Sequence, residues 1–216
     1  MTAPSPSPTE DHGSGPGPGP SELPLAGSLS AALLCGGASR RMGRDKALLE
    51  HEGEPLVARG ARALAALSPE VVLACGAEPR YQDLGWPLAL EGEADQGPLA
   101  GILAALEATR GERVLVAAVD LPDLARCPLA ELAALAASHD LDLACLDDGR
   151  ARPPLVWVVH RRCEPALREA FARGVRRLLD AFEGLSCGTV PVAPALARNW
   201  NTPADAAAFE RREGVA

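Results

Sequence analysis

The stretch from Gly36 to Lys46 concentrates residue types that bind polyphosphates. Gly36 and Gly37 follow an apolar run, where a glycine pair lets the backbone turn sharply and approach an anion without an intervening Cβ. A glycine pair alone is equally compatible with a tight turn followed by a solvated basic patch. The polyphosphate interpretation is favoured because four of the chain's 21 lysine and arginine residues fall within seven positions, namely Arg40, Arg41, Arg44 and Lys46.

The spacing of this stretch excludes two common phosphate-binding loops. Lys46 is the only lysine of the chain, and because it follows Asp45 and precedes Ala47 the pattern G-x-x-x-x-G-K-[ST] cannot be fitted. The dinucleotide-binding pattern G-x-G-x-x-G does not fit either. A lysine several residues beyond a glycine pair therefore predicts a phosphate loop of another kind.

Two further groups of polar residues could act on phosphates. Asp120 ends an apolar run, where a carboxylate can hold Mg²⁺ against a triphosphate, although an Asp before Leu-Pro also suits a plain turn cap. Asn199 and Asn201 are the only asparagines, and their donors and acceptors can read a heterocycle or a phosphate. The same segment is compatible with a turn into a helix opened by the Thr-Pro pair at 202–203.

The apolar pattern of the chain predicts the scaffold that positions these residues. Short, uniformly apolar runs are typical of strands covered on both faces, and they alternate here with segments of helical periodicity. The alternation predicts an α/β fold of the three-layer, Rossmann-like type, a mostly parallel sheet with helices on both faces. Ligands of such sheets bind beyond the carboxyl ends of the strands. The runs are 29–35, 71–75, 114–119, 141–145 and 154–159, and the candidate helices are 55–67, 98–109, 128–138, 163–182 and 203–212.

Length and composition predict one folded domain behind an N-terminal segment. The 216 residues suit a single domain, and contents of 47% hydrophobic and 23% charged residues are close to globular averages. Residues 1–27 are rich in Pro, Gly and Ser and have little to bury, which predicts a disordered leader. We expect residues 28–216 to form the domain.

Charge and cysteine usage restrict the partners and the compartment. A formal charge of −8 argues against broad binding to nucleic acid or to an anionic membrane, since such binding needs many cations facing phosphates. No apolar run reaches the roughly 18 residues that span a bilayer. The six cysteines are scattered and form no C-x-x-C pair, which favours reduced thiols and a cytoplasmic location.

Several ordered motifs carry a resemblance to a known family. Residues 33–49, LLCGGASRRMGRDKALL, resemble the N-terminal motif of the molybdenum cofactor guanylyltransferases, the MobA family. The resemblance continues through QGPLAG at 96–101, VAAVDLPDL at 116–124, GVRRLLDAF at 174–182 and NWNTPAD at 199–205. It covers essentially everything from about residue 29 to 210, and it implies a nucleotidyltransferase of the nucleotide-diphosphosugar type.

The resemblance implies a reaction and a set of site residues. The terminal phosphate of molybdenum-bound molybdopterin attacks the α-phosphorus of GTP, which releases pyrophosphate and forms the guanine dinucleotide cofactor. The implied catalytic residues are Lys46, Asp120 and Arg41, and Asp120 also holds Mg²⁺. The implied GTP-binding residues are Leu34, Cys35, Gly36, Gly37, Lys46, Glu91, Gly97 and Asp120, with Glu91 standing where the family usually has an aspartate. The implied pterin contacts are Arg177, Asn199 and Asn201, and Arg176 is a further candidate.

Alternatives remain open on the sequence alone. The second hypothesis is another nucleotidyltransferase of the same fold, a CTP-using molybdopterin cytidylyltransferase or a sugar-phosphate nucleotidyltransferase. By resemblance, Asp45 and the loop at 97–101 favour GTP over CTP. A third hypothesis is a nucleotide-binding module without catalysis, such as a cofactor chaperone. The expected partners are GTP and molybdenum-molybdopterin, with transient contact to molybdoenzymes or other cofactor-biosynthesis proteins.

Overall fold

The chain folds as alternating strands and helices. The computed structural model describes residues 28–36, 45–93, 96–200 and 205. Within these ranges the strands are β1 (Leu29–Leu34), β2 (Glu50–His51), β3 (Glu54–Pro55), β4 (Val71–Ala74), β5 (Leu88–Ala89), β6 (Arg113–Ala118), β7 (Leu143–Asp147), β8 (Val156–His160) and β9 (Cys187–Pro191). The α-helices there are α1 (Leu56–Ala65), α2 (Pro98–Ala108), α3 (Leu129–Ser138), α4 (Glu164–Ala172) and α5 (Leu178–Ala181).

Seven strands form one central sheet in the order β5-β4-β1-β6-β8-β7-β9, while β2 and β3 form a separate hairpin. β1 is parallel to both of its neighbours, so that Leu34 lies opposite Ala74 of β4 and Ala118 of β6. β8 is antiparallel to both β6 and β7. The carboxyl ends of β1, β4 and β6 and the beginning of β8 therefore meet at one edge of the sheet.

Alternating side chains along the strands build a hydrophobic core on each face of the sheet. On one face, Leu33 and Leu115 pack with residues of α1 and α3. On the other face, Val116 and Trp157 pack with residues of α2, α4 and α5. Because the central strands are covered on both sides, both faces must be apolar, which is why these strands are continuous apolar runs in the sequence. The three-layer α/β prediction is confirmed.

Most predicted elements are present, and the missed ones are short or exposed. The five apolar runs form β1, β4, β6, β7 and β8, and the predicted helices at 55–67, 98–109 and 128–138 correspond to α1, α2 and α3. β2, β3 and β5 have two residues each, too few to produce a period. β9 lies at the edge of the sheet and Val190 is its only buried residue, so it lacks an apolar run.

The prediction of one helix over 163–182 is wrong, because the segment forms two helices, α4 and α5. Gly174 has φ +89°, in the left-handed region that favours glycine, and it ends α4. The N–H of Gly174 donates to the carbonyl of Phe171 and the N–H of Val175 to that of Ala170, the Schellman pattern of a helix C-terminus. The break leaves Arg176 and Arg177 in the connection before α5.

Several predictions fall outside the described residues. These are the disordered leader at 1–27, Gly37 and Arg41 of the phosphate loop, Asn201, and the body of the helix at 203–212. None of the helices in the described ranges is long and apolar enough to cross a membrane. All six cysteines lie in these ranges, and each is a free thiol.

Candidate active site

A cavity of about 340 Å³ opens at the carboxyl ends of β1 and β6. The chain continues from β1 to β4 on one side and returns to β6 on the other, so this edge is the topological switch point where open α/β sheets bind ligands. The cavity brings together every residue of the GTP prediction within the described ranges. They are Leu34, Cys35, Gly36, Lys46, Glu91, Gly97 and Asp120.

Lys46 and Asp120 face each other in this cavity. The Nζ atom of Lys46 lies 3.4 Å from Oδ2 of Asp120, and their side chains are 23% and 16% exposed. Lys46 begins a 3-10 turn that Asp45 starts by accepting a hydrogen bond of 3.0 Å from the N–H of Ala47. The pair is thus largely shielded from bulk water but faces the space where a ligand would lie.

The environment of Asp120 favours a cation. Burial raises the pKa of the Asp120 carboxyl above its ordinary value, because desolvation outweighs the attraction of Lys46. Its Oδ1 atom is buried and accepts no hydrogen bond from any described residue. A buried carboxylate oxygen without a donor is costly, and a cation would offset that cost. The described residues contain no cluster of three or more His, Cys, Asp or Glu side chains that could hold a metal ion. A metal ion here would therefore depend on a ligand for most of its coordination.

The end of β1 passes very close to neighbouring backbone. A Cβ added at Gly36 would lie 2.8 Å from Oε1 of Glu91 and 2.9 Å from the amide nitrogen of Gly76, so only glycine fits. The N–H groups of Cys35 and Gly36 both donate to the carbonyl of Ala74, at 2.9 and 2.8 Å. These two amides are therefore already engaged in the fold.

The opposite wall of the cavity comes from the start of α2 and the segment after β5. Gly97 is the N-cap of α2 and Pro98 is its first residue, so this loop leads directly into the helix predicted at 98–109. Both residues also line the cavity. Glu91 reaches the glycine-rich surface, because its Oε1 would lie 3.4 Å from a Cβ added at Gly101. Its longer side chain therefore still reaches the cavity.

The C-terminal motif is joined to Asp120 through the backbone. The N–H of Trp200 donates to the carbonyl of Asp120 at 2.8 Å, and the indole is fully buried. The Trp200 ring meets the ring of His51 edge to face, with centroids 5.3 Å apart. Asn199 is half-buried one residue before this bond, although it is not part of the described cavity lining. The sequence showed the two asparagines, but the buried tryptophan is what anchors the motif.

Arg80 and Tyr81 form a contact to the phosphate loop that the sequence did not reveal. Arg80 donates to the carbonyl of Cys35 at 3.2 Å, just before the loop, and to Asp45 Oδ2 at 3.3 Å, at the end of the loop. It also donates to the carbonyl of Cys75, at 2.8 and 3.2 Å. The hydroxyl of Tyr81 donates to Asp45 Oδ2 at 2.6 Å. The Arg-Tyr pair stands in a loop without periodicity, so no signal in a single sequence marked it.

A second cavity, of about 540 Å³, adjoins the first and shares Pro98 and Leu155 with it. Arg176 and Arg177 both line this second cavity, but they differ in their contacts. Arg176 is tied to the fold, since it donates to Gln96 and to the carbonyls of Phe171 and Val175 and lies 4.1 Å above the Phe171 ring. Arg177 makes no hydrogen bond or ion pair with any residue that the structure describes. Of the two, Arg177 is the one available to a ligand.

The sheet order and the Lys-Asp pair at its switch point define an α/β protein with a polar ligand site at the edge of the sheet, and sequence comparison gives its class. Residues 31–186 match the MobA-like NTP transferase domain. The molybdenum cofactor guanylyltransferase of Pseudomonas putida strain GB-1 is 36% identical over 166 residues, which cover 73% of this chain and 86% of that protein. The chain therefore belongs to the MobA family of molybdenum cofactor guanylyltransferases.

Solved structures agree on the fold. The molybdopterin-guanine dinucleotide biosynthesis protein A of Archaeoglobus fulgidus superposes with a TM-score of 0.69 at 23% identity, covering 87% of this chain and all of that one. The 2-C-methyl-D-erythritol 4-phosphate cytidylyltransferase of Thermus thermophilus superposes with a TM-score of 0.59 at 21% identity, covering 83% and 98%. Since the second protein is a cytidylyltransferase, the fold alone does not select the nucleotide.

Proposed function

We propose that this chain transfers GMP from GTP to the terminal phosphate of molybdenum-loaded molybdopterin, releasing pyrophosphate and forming the guanine dinucleotide. The observation that carries the proposal is the Lys46–Asp120 pair, at 3.4 Å, at the switch point of a MobA-family domain. A cation and a buried carboxylate side by side suit a nucleoside triphosphate with its counter-ion. The predicted GTP residues around the pair support the assignment of this cavity to the nucleotide.

The chemistry needs positioning more than proton transfer. A phosphate monoester is largely dianionic at neutral pH, since its second pKa is about 6, and it can attack the α-phosphorus without a general base. What the protein must supply is the alignment of two polyanions and positive charge where the leaving pyrophosphate develops negative charge. Lys46 lines the cavity beside Asp120, which supports a role in the second task. We assign the first task to the phosphate-loop motif that begins at Gly36.

Asp120 is the residue that would hold Mg²⁺. Its buried Oδ1, which has no donor among the described residues, fits a hard cation, and Mg²⁺ takes one or two carboxylates together with phosphate oxygens and water. When bound, the ion would neutralise and orient the triphosphate. Lys46 lines the same cavity, so its ammonium group would contact the phosphates of a triphosphate bound there.

The acceptor fits the adjoining cavity. The two cavities meet at Pro98 and Leu155, so a phosphate at the Lys46–Asp120 pair can belong to a molecule whose larger part lies in the second cavity. Arg177 lines that second cavity. Asn199 comes one residue before Trp200, whose N–H donates to the Asp120 carbonyl, and this proximity in the chain supports a contact of Asn199 with the acceptor near its phosphate.

The proposal is tested by pyrophosphate release from GTP, Mg²⁺ and molybdenum-loaded molybdopterin, with the dinucleotide product identified by mass. The wild-type chain should turn over, and Lys46→Ala and Asp120→Asn should each lose on the order of 10²-fold or more, as when a transition-state contact is removed. Arg62→Ala, on the exposed face of α1, is the matched control and should keep full activity. Turnover by Lys46→Ala at the wild-type rate would remove that residue from the mechanism.

A competition assay distinguishes GTP from CTP as the nucleotide donor, and it distinguishes an enzyme from a nucleotide-binding module. GTP and CTP are offered together with molybdopterin, and GTP should be consumed preferentially. Preferential use of CTP would replace the guanylyl assignment by a cytidylyl one. Absence of pyrophosphate release with either nucleotide, despite GTP binding, would favour a nucleotide-binding module without catalysis. The expected cytoplasmic site of the reaction, and transfer of the product to a molybdoenzyme, are parts of the same proposal.

A further inference from the structure

The second cavity carries positive charge that the fold leaves uncompensated. Arg152, in the connection between β7 and β8, and Arg177, before α5, both line it and are both exposed. Neither arginine forms an ion pair or hydrogen bond with any described residue. Asp180 is the one carboxylate of the described lining, and it pairs with neither of them.

Most arginines among the described residues, in contrast, do have such partners. Arg173 pairs with Glu169 at 2.6 Å and Arg162 with Asp140 at 2.8 Å, although both are exposed on the surface. Arg176, which lines the same cavity, is held by the fold through its bonds to the Phe171 and Val175 carbonyls. A chain with 29 acidic residues offers many carboxylates, so two unpaired guanidinium groups at one cavity indicate a ligand that supplies the anion.

The remaining lining of the second cavity is largely apolar. Trp157, Leu178 and Leu179 line it, and Leu179 is 48% exposed. An apolar surface bordered by two guanidinium groups suits a flat heterocycle that carries an anionic group. Because the reacting phosphate must lie at Asp120, in the first cavity, this anionic group is a different one.

We infer that Arg152 and Arg177 bind the anionic, metal-bearing end of the acceptor, while the reacting phosphate lies at the Lys46–Asp120 pair. The inference rests on the proposed function and adds a second anion site. The two sulfur ligands belong to the molybdopterin and are present in both forms, whereas the oxygen ligands of the substrate's metal are hydrogen-bond acceptors that the metal-free molecule lacks. The two arginines thereby favour the loaded acceptor over the metal-free one.

Direct binding of the two acceptors tests this assignment. Dissociation constants of molybdenum-loaded and metal-free molybdopterin are measured in the presence of Mg²⁺ for the wild type, Arg152→Gln and Arg177→Gln. Arg173→Gln, an exposed arginine outside the cavity, is the matched control. Each cavity variant should raise the dissociation constant of the loaded acceptor about tenfold and that of the metal-free acceptor less than twofold. A tenfold increase is the loss expected for one charge-assisted contact. GTP affinity, measured by calorimetry on the same samples, should stay within twofold.

The outcomes separate this inference from the proposed function. Equal weakening of both acceptors would mean that the arginines hold another part of the molecule, and an unchanged loaded acceptor would mean that they hold nothing; either result overturns the inference. In both cases a wild type that still releases pyrophosphate leaves the proposed function intact. A wild type that binds neither acceptor overturns both.

Discussion

Replacing Arg80 by Met tests whether the two ends of the phosphate loop must be held together. Arg80 donates to the Cys35 carbonyl just before the loop and to the Asp45 carboxylate at its end, and it also donates twice to the Cys75 carbonyl. Methionine keeps much of the volume of the side chain but none of these four contacts. The loop stems would then be held by the Tyr81–Asp45 bond and by the β1–β4 ladder.

The magnitude follows from the contacts. A hydrogen bond from a charged donor contributes about 1.5–3 kcal/mol when shielded. The Arg80 side chain is 34% exposed, so water can reach part of the site and the lost carbonyl contacts should lower the free energy of unfolding by about 2 kcal/mol. A looser loop weakens the phosphate contacts of ground state and transition state alike, which raises KM for GTP about tenfold and changes kcat less.

Steady-state kinetics with GTP, together with urea unfolding, measure both effects. Arg80→Lys is the informative companion, because a single ammonium group restores the charge but cannot reach three acceptors, and it should stay close to Arg80→Met. Arg62→Met, on α1 and paired with Glu54, is the matched control. A KM for GTP within twofold of wild type in a destabilised Arg80→Met would show that the contacts serve the fold alone, and the reasoning about the loop would fail.

Four further predictions follow from single features of the site. Gly36→Ala, whose Cβ would meet the Gly76 amide nitrogen at 2.9 Å, should lower turnover at least tenfold, whereas Gly92→Ala, with nothing within 4 Å, should not. Trp200→Ala should lower the free energy of unfolding by about 3–5 kcal/mol in urea titrations, and the half-buried Trp86→Ala by less. Burial raises the pKa of Asp120, so its ionisation opposes folding as pH rises above about 4. In urea titrations with EDTA present, the free energy of unfolding of Asp120→Asn should match that of the wild type at pH 3 and equal or exceed it at pH 7. A lower value for the variant at pH 7 alone would contradict this. Lys46→Arg should raise the melting temperature yet lose on the order of 10²-fold in pyrophosphate release, and wild-type turnover would show that a single ammonium group is not required.

The sequence predicted the scaffold because both faces of the sheet are buried. Val114 to Ala117 of β6 are fully buried, and a strand buried on both faces must consist of apolar residues. Helices that alternate with such strands predict a mostly parallel sheet. β9 escaped prediction because an edge strand needs no continuous apolar run. The break at Gly174 escaped it because a glycine within an amphipathic pattern costs only about 1 kcal/mol in a helix and so does not by itself mark a helix end. The residue types of the motifs could be recognised in the sequence, but their hydrogen-bond and ion-pair partners depend on the tertiary structure.

Partners were the part of the site that a single sequence could not reveal. Arg176 and Arg177 are adjacent and identical in type, yet one is held by Gln96 and the Phe171 carbonyl while the other makes no contact among the described residues. Arg80 was invisible because three of its four acceptor contacts are backbone carbonyls, which every residue has. Side-chain chemistry can be inferred from residue type, but the supply of donors and acceptors by the main chain depends on tertiary structure.

The geometry around Asp120 gives a physical reason for a lone lysine in a chain that otherwise uses arginine. Of the two carboxylate oxygens, Lys46 contacts Oδ2, at 3.4 Å, and leaves the buried Oδ1 without a donor among the described residues. An arginine there would present a planar fork that binds both carboxylate oxygens at once, which would satisfy Asp120 and occupy the position of a cation. A single ammonium group can neutralise the carboxylate partly and then move to a phosphate. The main-chain carbonyl of Asp120 also accepts a hydrogen bond from the Trp200 N–H. The N-terminal and C-terminal motifs therefore meet at Asp120, and only one of its two carboxylate oxygens has a partner among the described residues.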